Sequence, residues 1–250
     1  MTAFTTLLAK DLRQIVRTWR IWVLPALTAL LAISGPITAR YARELFASLG
    51  GSEFLGLLSD PTWVDAYAQW TKNLAQLLTF VVIIITASAI SGEVRDGTAV
   101  LTLTKPVSRT TFVVAKFVAT AALVIVSIGG GAALTYASTA VFFPGAPAGP
   151  LIQATLVWGV LALLLIAATL LGSAVFSSGG AIGVGLGVLA GLGLISLLPA
   201  ASNSPSGLLG LPGLLGSGQS ADVVWPVVTG LGLTVFLLAT AAIAFNRREL

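Results

Sequence analysis

The chain has no cysteine, no histidine and few charges: only 9% of its 250 residues are Asp, Glu, Lys or Arg. Without cysteine it has no disulfide, no thiolate chemistry and no Cys-ligated metal. Without histidine it lacks the commonest general base and metal ligand. None of its lysines completes a G-x-x-x-x-G-K-[ST] phosphate-binding loop. If ATP drives this protein, we therefore expect another polypeptide to hydrolyse it.

Apolar side chains dominate what is present. Hydrophobic residues make up 56% of the chain, and the mean hydropathy of +1.00 lies far outside the range of soluble proteins. The sequence therefore predicts an integral membrane protein of the all-α class, built as a single domain over residues 1–250. In such a protein the formal net charge of +4 bears on membrane topology and does not indicate nucleic-acid binding.

Six apolar runs are long enough to cross a bilayer. The predicted spans cover about 21–39, 74–90, 112–139, 151–175, 181–198 and 223–245. Pro25 and the Gly35-Pro36 pair predict a kink in the first span. Ser108 is the expected N-cap of a third helix whose first turns stand in the headgroup zone. Residues 199–221 are read as an uncharged loop.

An amphipathic helix is predicted before the first span. Apolar residues recur there at helical spacing, with basic residues between them: Phe4, Leu7, Leu8, Leu12, Ile15 and Trp19 against Lys10, Arg13, Arg17 and Arg20. We expect this helix, residues 1–20, to lie in the membrane interface and to contact lipid. A secretory signal peptide is the alternative, but the apolar run that follows is longer than such a segment usually has.

Residues 40–72 mix acids with aromatic side chains. Ser59-Asp60-Pro61 is a typical helix start, after which Trp63, Tyr67 and Trp70 share one helical face. Two interpretations are open: an aromatic belt at the level of the lipid headgroups, or a ligand-binding aromatic cluster. The belt is favoured, because aromatic residues collect at membrane interfaces without any ligand.

Basic residues are divided unequally between the two sides of the membrane. With six alternating spans, one side holds both termini and the loop after the second span, and ten basic residues lie there: Lys10, Arg13, Arg17, Arg20, Arg95, Lys105, Arg109, Lys116, Arg247 and Arg248. The other side holds Arg40, Arg43 and Lys72. By the positive-inside rule, both termini and that loop are expected in the cytoplasm of a multi-pass protein of the cell membrane.

Residues 117–221 contain no charged side chain. Ion-driven carriers commonly need ionisable groups at membrane depth, so a hydrophobic or amphiphilic cargo fits this chain better than a small ion. Gly183, Gly187 and Gly191 repeat at four-residue spacing. Such glycines are typical of close helix packing, which is favoured here over a nucleotide site.

The loop at residues 91–116, SGEVRDGTAVLTLTKPVSRTTFVVAK, interrupts the apolar pattern with acids, bases and turn residues. Thr98 or Asp96 can cap a short helix with Val100, Leu101 and Leu103 on its apolar side, and Pro106 can end it. Gly97 allows the backbone to turn into that helix. The apolar side would lie on the membrane or fill a cleft in a partner.

This loop resembles the first cytoplasmic loop of the type-2 exporter permeases of ATP-binding-cassette transporters. E-x-x-x-G-T at Glu93 to Thr98, the apolar run, P-V-S-R and the later Lys116 carry the resemblance. It implies the six-span type-2 exporter fold, with residues 91–111 as a coupling helix and loop seated in a cytosolic ATPase. Eight residues are then expected to couple the loop to the ATPase: Glu93, Arg95, Asp96, Gly97, Thr98, Leu101, Pro106 and Arg109. Glu93 and Arg95 would make electrostatic contacts with the ATPase or would brace the loop.

The resemblance also implies an assembly. Two permease chains, identical or paralogous, would pair above two ATPases, with ATP and Mg²⁺ bound by the ATPases and no cofactor or metal bound by this chain. Because spans two and five line the dimer interface in that family, six residues are expected near the cargo path: Asn73, Gln76, Thr79, Gly183, Gly187 and Gly191. The second cytoplasmic turn, residues 177–180, is short and uncharged, which leaves its contact with an ATPase open.

Three alternatives remain at the level of sequence. The loop could be an ordinary positive-inside hairpin without a partner, the chain could be a membrane scaffold that transports nothing, or it could be an ion-coupled secondary carrier. In each of these, no ATPase subunit would be bound. No catalytic residue is predicted in any of them.

Overall fold

The structure, a computed structural model, describes residues 3–18, 20–48, 60–104, 107–198 and 203–248. These residues form helices and no β-strand. Six helical segments in them are long and apolar enough to cross a membrane: Trp22–Glu44, Trp63–Arg95, Arg109–Phe142, Ala148–Val175, Ser178–Ser196 and Val224–Asn246. The predicted all-α architecture with six spans is therefore confirmed.

The described residues form helices of three kinds. Eleven are α-helical: α1 Ala3–Arg17, α2 Arg20–Ser48, α3 Trp63–Asn73, α4 Thr79–Ala87, α5 Ser91–Arg95, α6 Thr98–Leu103, α7 Arg109–Phe142, α8 Ala148–Val175, α9 Ser178–Ser196, α10 Leu211–Gly216 and α11 Val224–Asn246. A π-helical turn, Leu74–Leu78, joins α3 to α4, and a 3₁₀ turn, Pro205–Leu209, precedes α10. As predicted, Ser108 caps α7, accepting a hydrogen bond from the Thr111 N–H.

Helix α2 continues through both of its prolines. Proline has no N–H, so Pro36 leaves the carbonyl of Ala32, four residues earlier, without its helical donor. The hydroxyl of Ser138 on α7 donates to that carbonyl at 3.3 Å. A neighbouring helix thus satisfies the freed acceptor, as proline in a membrane helix requires.

The second span begins earlier than its apolar run indicates, since α3 starts at Trp63 and not near residue 74. Its N-cap is Thr62, not a residue of the Ser59-Asp60-Pro61 motif, and the Asp65 carboxylate accepts from the Thr62 N–H at 2.8 Å. Tyr67 and Trp70 are fully buried inside the bundle. The aromatic-belt interpretation is therefore wrong for these two residues.

Trp70 is buried because the facing helices make room for it and supply a hydrogen-bond partner. Its Nε1 donates to the Thr155 hydroxyl of α8 at 3.1 Å. On α7, a Cβ added at Gly131 would lie 2.5 Å from the Trp70 ring. Trp158 of α8 similarly donates to Thr79 at 3.3 Å. Helix α8, the most buried span, is the centre of the bundle.

The stretch between the fifth and sixth spans is not an open loop. Its 3₁₀ turn and α10 pack between the spans, and Leu208 is completely buried. A Cβ added at Gly230 of α11 would lie 2.6 Å from Leu208 Cδ1. Short helices separated by turns are tolerated at membrane depth only when protein surrounds them. The loop predicted over residues 199–221 is thus, where the structure describes it, a folded insertion in the bundle.

Candidate functional site

The loop between the second and third spans lies where several other elements end. Helix α1, the short helices α5 and α6, the first turns of α7 and the last turns of α8 and α11 all meet there. We call this end of the bundle the charged end. Most of the described basic residues lie there: Lys10, Arg13, Arg17, Arg95, Arg109, Lys116, Arg247 and Arg248.

A buried ion cluster joins three elements at the charged end. Lys116 of α7 donates to Asp11 of α1 at 2.7 Å and to Glu93 of α5 at 2.5 Å. The three side chains are 7%, 4% and 7% exposed. Lys10 of α1, which is partly exposed, donates to both oxygens of Glu93 at 3.2 and 3.3 Å. The cluster contains two acids and two lysines and is neutral overall.

Aromatic rings close the cluster on one side. The Phe112 ring lies 5.4 Å from the Lys116 ammonium and 6.0 Å from the Lys10 ammonium. Phe112 also stacks on Phe245 of α11, with ring centroids 5.4 Å apart. A buried ion network is costly to break, because removing one member leaves its partners charged and desolvated. The cluster therefore holds α1, α5 and α7 in one fixed arrangement.

Gly97 makes the turn that leads out of this cluster. Its φ of +71° is in the left-handed region, and it occupies the N-cap position of α6. No side chain caps α6, so the prediction that Thr98 or Asp96 would do so is wrong. Thr98 is instead the first residue of the helix, and its hydroxyl donates back to the Glu93 carbonyl at 3.3 Å.

Several residues on both sides of this turn face outward. Leu101 is 69% exposed and Val100 43%. Arg95 and Asp96 form a pair at 3.2 Å with side chains 77% and 61% exposed. Pro106 lies outside the described residues. The predicted contact set thus separates into Glu93 and Thr98, which hold the loop inward, and a projecting tip that includes Leu101.

Arg109, the arginine of the P-V-S-R motif, binds within the chain. Its Nη1 donates to the carbonyl oxygens of Phe245, Asn246 and Arg248 at 3.0, 3.1 and 2.6 Å. Phe245 and Asn246 end α11, and Arg248 follows it directly. The end of a helix has acceptors without helical donors and a partial negative charge. Arg109 therefore fixes the sixth span to the third.

Sequence reasoning missed Asp11, although a signal for it exists. Asp11 is the only acid among the first 43 residues, and it lies four residues from both Leu7 and Ile15, on the apolar face of α1. An acid on such a face needs a buried cation as its partner. The partner, Lys116, is 105 residues away in the chain, so periodicity alone does not identify it.

A groove runs between α1 and α6 and has a volume of about 1060 Å³. Its walls include Arg13 and Arg17 of α1, both exposed, and Leu101 and Thr102 of α6. A smaller cavity of about 290 Å³ lies beside the ion cluster, between α1, α5 and α7. The charged end thus presents exposed apolar side chains and exposed arginines together. Such a surface suits binding to a protein surface of opposite charge.

The six residues expected near a cargo path do not form one site within the chain. Asn73 and Thr79 are buried, and Thr79 donates to the Leu74 carbonyl at 3.0 Å and accepts from Trp158. The other four lie at the surface or border it: Gln76, Gly183, Gly187 and Gly191. A Cβ added at any of these three glycines would meet no atom within 4 Å.

Close packing of α9 depends on other glycines. A Cβ at Gly185 would lie 2.5 Å from Thr169 Oγ1, and one at Gly172 would lie 2.8 Å from the Ala181 backbone. The fifth span thus approaches α8 through Gly172 and Gly185. The repeat at 183, 187 and 191 faces away from the described part of the chain.

Comparison with protein families gives one match. The family model described as "ABC-2 family transporter protein" matches residues 5–201, which is more than three quarters of the chain. No individually curated protein matches the sequence. The matched range contains all but the first two residues of α1, the whole loop and the first five spans.

Proposed function

The chain belongs to the ABC-2 transporter family, and on that premise we propose that it is an export permease driven by a separate ATPase. It is a membrane-embedded permease component with six candidate spans. In the proposal it forms half of the translocation path, and the cytosolic ATPase binds ATP and Mg²⁺. The chain itself supplies no catalytic residue.

The structure of the loop is the observation that supports this proposal. Its base is fixed to α1 and α7 by the buried cluster of Glu93, Lys116 and Asp11, whereas its tip projects with Leu101 exposed. A tip that contacts a moving partner can displace the spans only if the base of the loop stays fixed to them. Burial of the ions keeps the base rigid, since the cluster cannot open without exposing unpaired charges to an apolar surrounding.

Orientation follows from the distribution of cations. Eight described basic residues lie at the charged end, against Arg40, Arg43 and Lys72 toward the opposite end. Loops rich in Lys and Arg remain on the cytoplasmic side. We therefore place the charged end and both termini in the cytoplasm, where an ATPase can reach α6.

A second permease chain is the partner we propose for the exposed surfaces at Gln76 and at the three glycines. The fifth span is only 17% buried in its most apolar window, against 72% for the fourth. Gln76 is exposed in the π-helical turn, and no hydrogen bond reaches its side chain from the described residues. An amide facing hydrocarbon is costly, so a second copy or paralogue, or the water of a path between two copies, would have to meet it.

The class of cargo is inferred from the composition of the spans. Between Lys116 and Asp222 the chain contains no charged residue, so a path lined by it would offer hydroxyls, amides and apolar groups. A hydrophobic or amphiphilic substrate fits this lining best. The ion cluster at the charged end is internally paired and lies at the end of the spans, so it does not supply a coupling-ion site at mid-membrane depth.

Co-purification tests the proposal. The tagged chain is expressed in a host that carries its neighbouring genes and is extracted in a mild detergent. An ATP-binding-cassette ATPase should be recovered with it, and the activity of that ATPase should depend on the complex. Recovery without any ATPase would contradict the proposal and favour a scaffold. Transport by the chain alone, driven by an ion gradient, would instead identify a secondary carrier.

A further inference from the structure

The two ends of the loop are connected to each other by the end of the last span. At the loop's exit, Arg109 donates to three carbonyls of the C-terminal segment, including that of Arg248 at 2.6 Å. Arg248 in turn donates through Nη1 to the carbonyls of Ser173 and Ala174 at 3.4 and 2.9 Å. These two residues form the last turn of α8, whose carbonyls have no helical donors.

Ser173 continues this path to the loop's entrance. Its hydroxyl accepts from the N–H groups of Ile90 and Ser91 at 3.2 and 2.9 Å, and it donates to the Ala87 carbonyl at 2.8 Å. The backbone turns at residues 88–90, between α4 and α5, so these amides would otherwise be unpaired and buried. Entrance and exit of the loop are thus joined through Ser173, Arg248 and Arg109.

We propose that Arg248 is a positioning residue for coupling, because it closes this path and makes the loop's two ends one rigid frame with the fourth and sixth spans. The proposal rests on the function proposed above. In this frame, a displacement of α6 by the ATPase moves α5 and the start of α7 together. Without Arg248, the entrance remains attached to α8 and the exit to α11. Helices α8 and α11 still pack on each other, and the Glu93–Lys116 pair still joins α5 to α7. The hydrogen-bonded path between the entrance and the exit is broken.

The sixth span does not depend on Arg248 for its packing. Phe245 is fully buried and stacks on Phe112, and Arg109 still binds the carbonyls of Phe245 and Asn246. Replacement of Arg248 is therefore expected to leave the fold intact. Arg247, the preceding residue, is exposed, and no hydrogen bond or ion pair reaches its side chain from the described residues. It is the matched control.

Hydrogen–deuterium exchange on the purified chain tests the frame without an ATPase. In Arg248→Ala, the amides of residues 88–104 should exchange roughly tenfold faster, because charge-assisted hydrogen bonds at the frame have been removed. Arg248→Lys should restore most of the protection, since a lysine keeps a donor and the charge at the helix end. Arg247→Ala should match the unaltered chain. Equal protection in Arg248→Ala and the unaltered chain would overturn the proposal.

The assembled complex tests the role in coupling. With the co-purified ATPase, Arg248→Ala should lower kcat for ATP several-fold and leave KM unchanged, since the nucleotide binds to the partner. Arg248→Lys should recover kcat. An unchanged kcat together with faster loop exchange would also overturn the proposal. Failure of the proposed function is a separate result, because there no ATPase would be recovered with the unaltered chain.

Discussion

The base and the tip of the loop after the second span differ in burial and in the contacts that their side chains make. At the base, Glu93 and Lys116 are about 93% buried, lie 2.5 Å apart and are bonded to a third helix. At the tip, Leu101 is 69% exposed, and Arg95 and Asp96 pair only with each other at the surface. Glu93 and Leu101 are only eight positions apart in the chain. The difference shows that one short segment contains both an anchor and a contact surface.

Changes at the base should therefore affect the permease itself, whereas changes at the tip should affect only its partner. A buried ion cluster contributes through the cost of breaking it. An exposed leucine contributes little to folding but much to binding if a partner buries it. Mutations that separate these two outcomes test the comparison.

The largest effect is expected from Lys116→Met. It leaves two buried carboxylates, Asp11 and Glu93, with the partly exposed Lys10 as their remaining partner, at 3.6 and 3.2 Å. The expected cost is about 3 kcal/mol. The apparent unfolding temperature in detergent should fall by roughly 10 °C, at about 2–4 °C per kcal/mol for a chain of this size. Lys72→Met, at an exposed lysine that forms no ion pair with the described residues, is the control. A Lys116→Met chain as stable as that control would show that the base is not an anchor.

Leu101→Asp should leave the unfolding temperature unchanged and weaken binding of the ATPase by about 30-fold or more, if Leu101 fills a cleft of the partner as an interface hot spot of about 2 kcal/mol. Binding of the ATPase to the immobilised permease measures this. Leu197→Asp, at a leucine that is 78% exposed at the opposite end of the bundle, is the control. Equal binding by both variants would remove the tip from the interface.

A smaller effect is expected from Gly97→Ala, which acts between base and tip. No atom lies within 4 Å of an added Cβ, so the cost arises from the φ of +71° alone and is about 1 kcal/mol. The expected result is a slight loss of stability with a measurable drop in ATPase stimulation. Gly129→Ala, also in open space but in a regular helix, should be neutral or stabilising. If Gly97→Ala behaves in the same way, the turn does not constrain the tip.

The sequence was most informative where a property is local. Apolar runs were sufficient to predict six spans, and the side-chain oxygen of Ser108 was sufficient to predict the start of α7. Charge counts also singled out the loop. These features depend on the residues of one segment and on the thickness of the bilayer.

Features that depend on two distant segments could not be predicted. Tyr67 and Trp70 have the composition of an interfacial belt, but Gly131 and Thr155 create a site for Trp70 inside the bundle. Glu93 and Arg109 were expected at a partner's surface, with bracing of the loop as the alternative for Glu93. In the structure both turn inward to groups on other helices. A periodic pattern identifies the face of a helix but not the helix that covers it.

Thiol labelling of the loop's tip tests the central claim most directly. The chain has no cysteine, so Leu101→Cys introduces a unique thiol at an exposed position. With the ATPase bound, its reaction with a maleimide should slow by at least tenfold, whereas Arg247→Cys, also at the charged end, should react at a rate much less affected by the partner. Labelling of Leu101→Cys at the same rate with and without the ATPase would contradict the account.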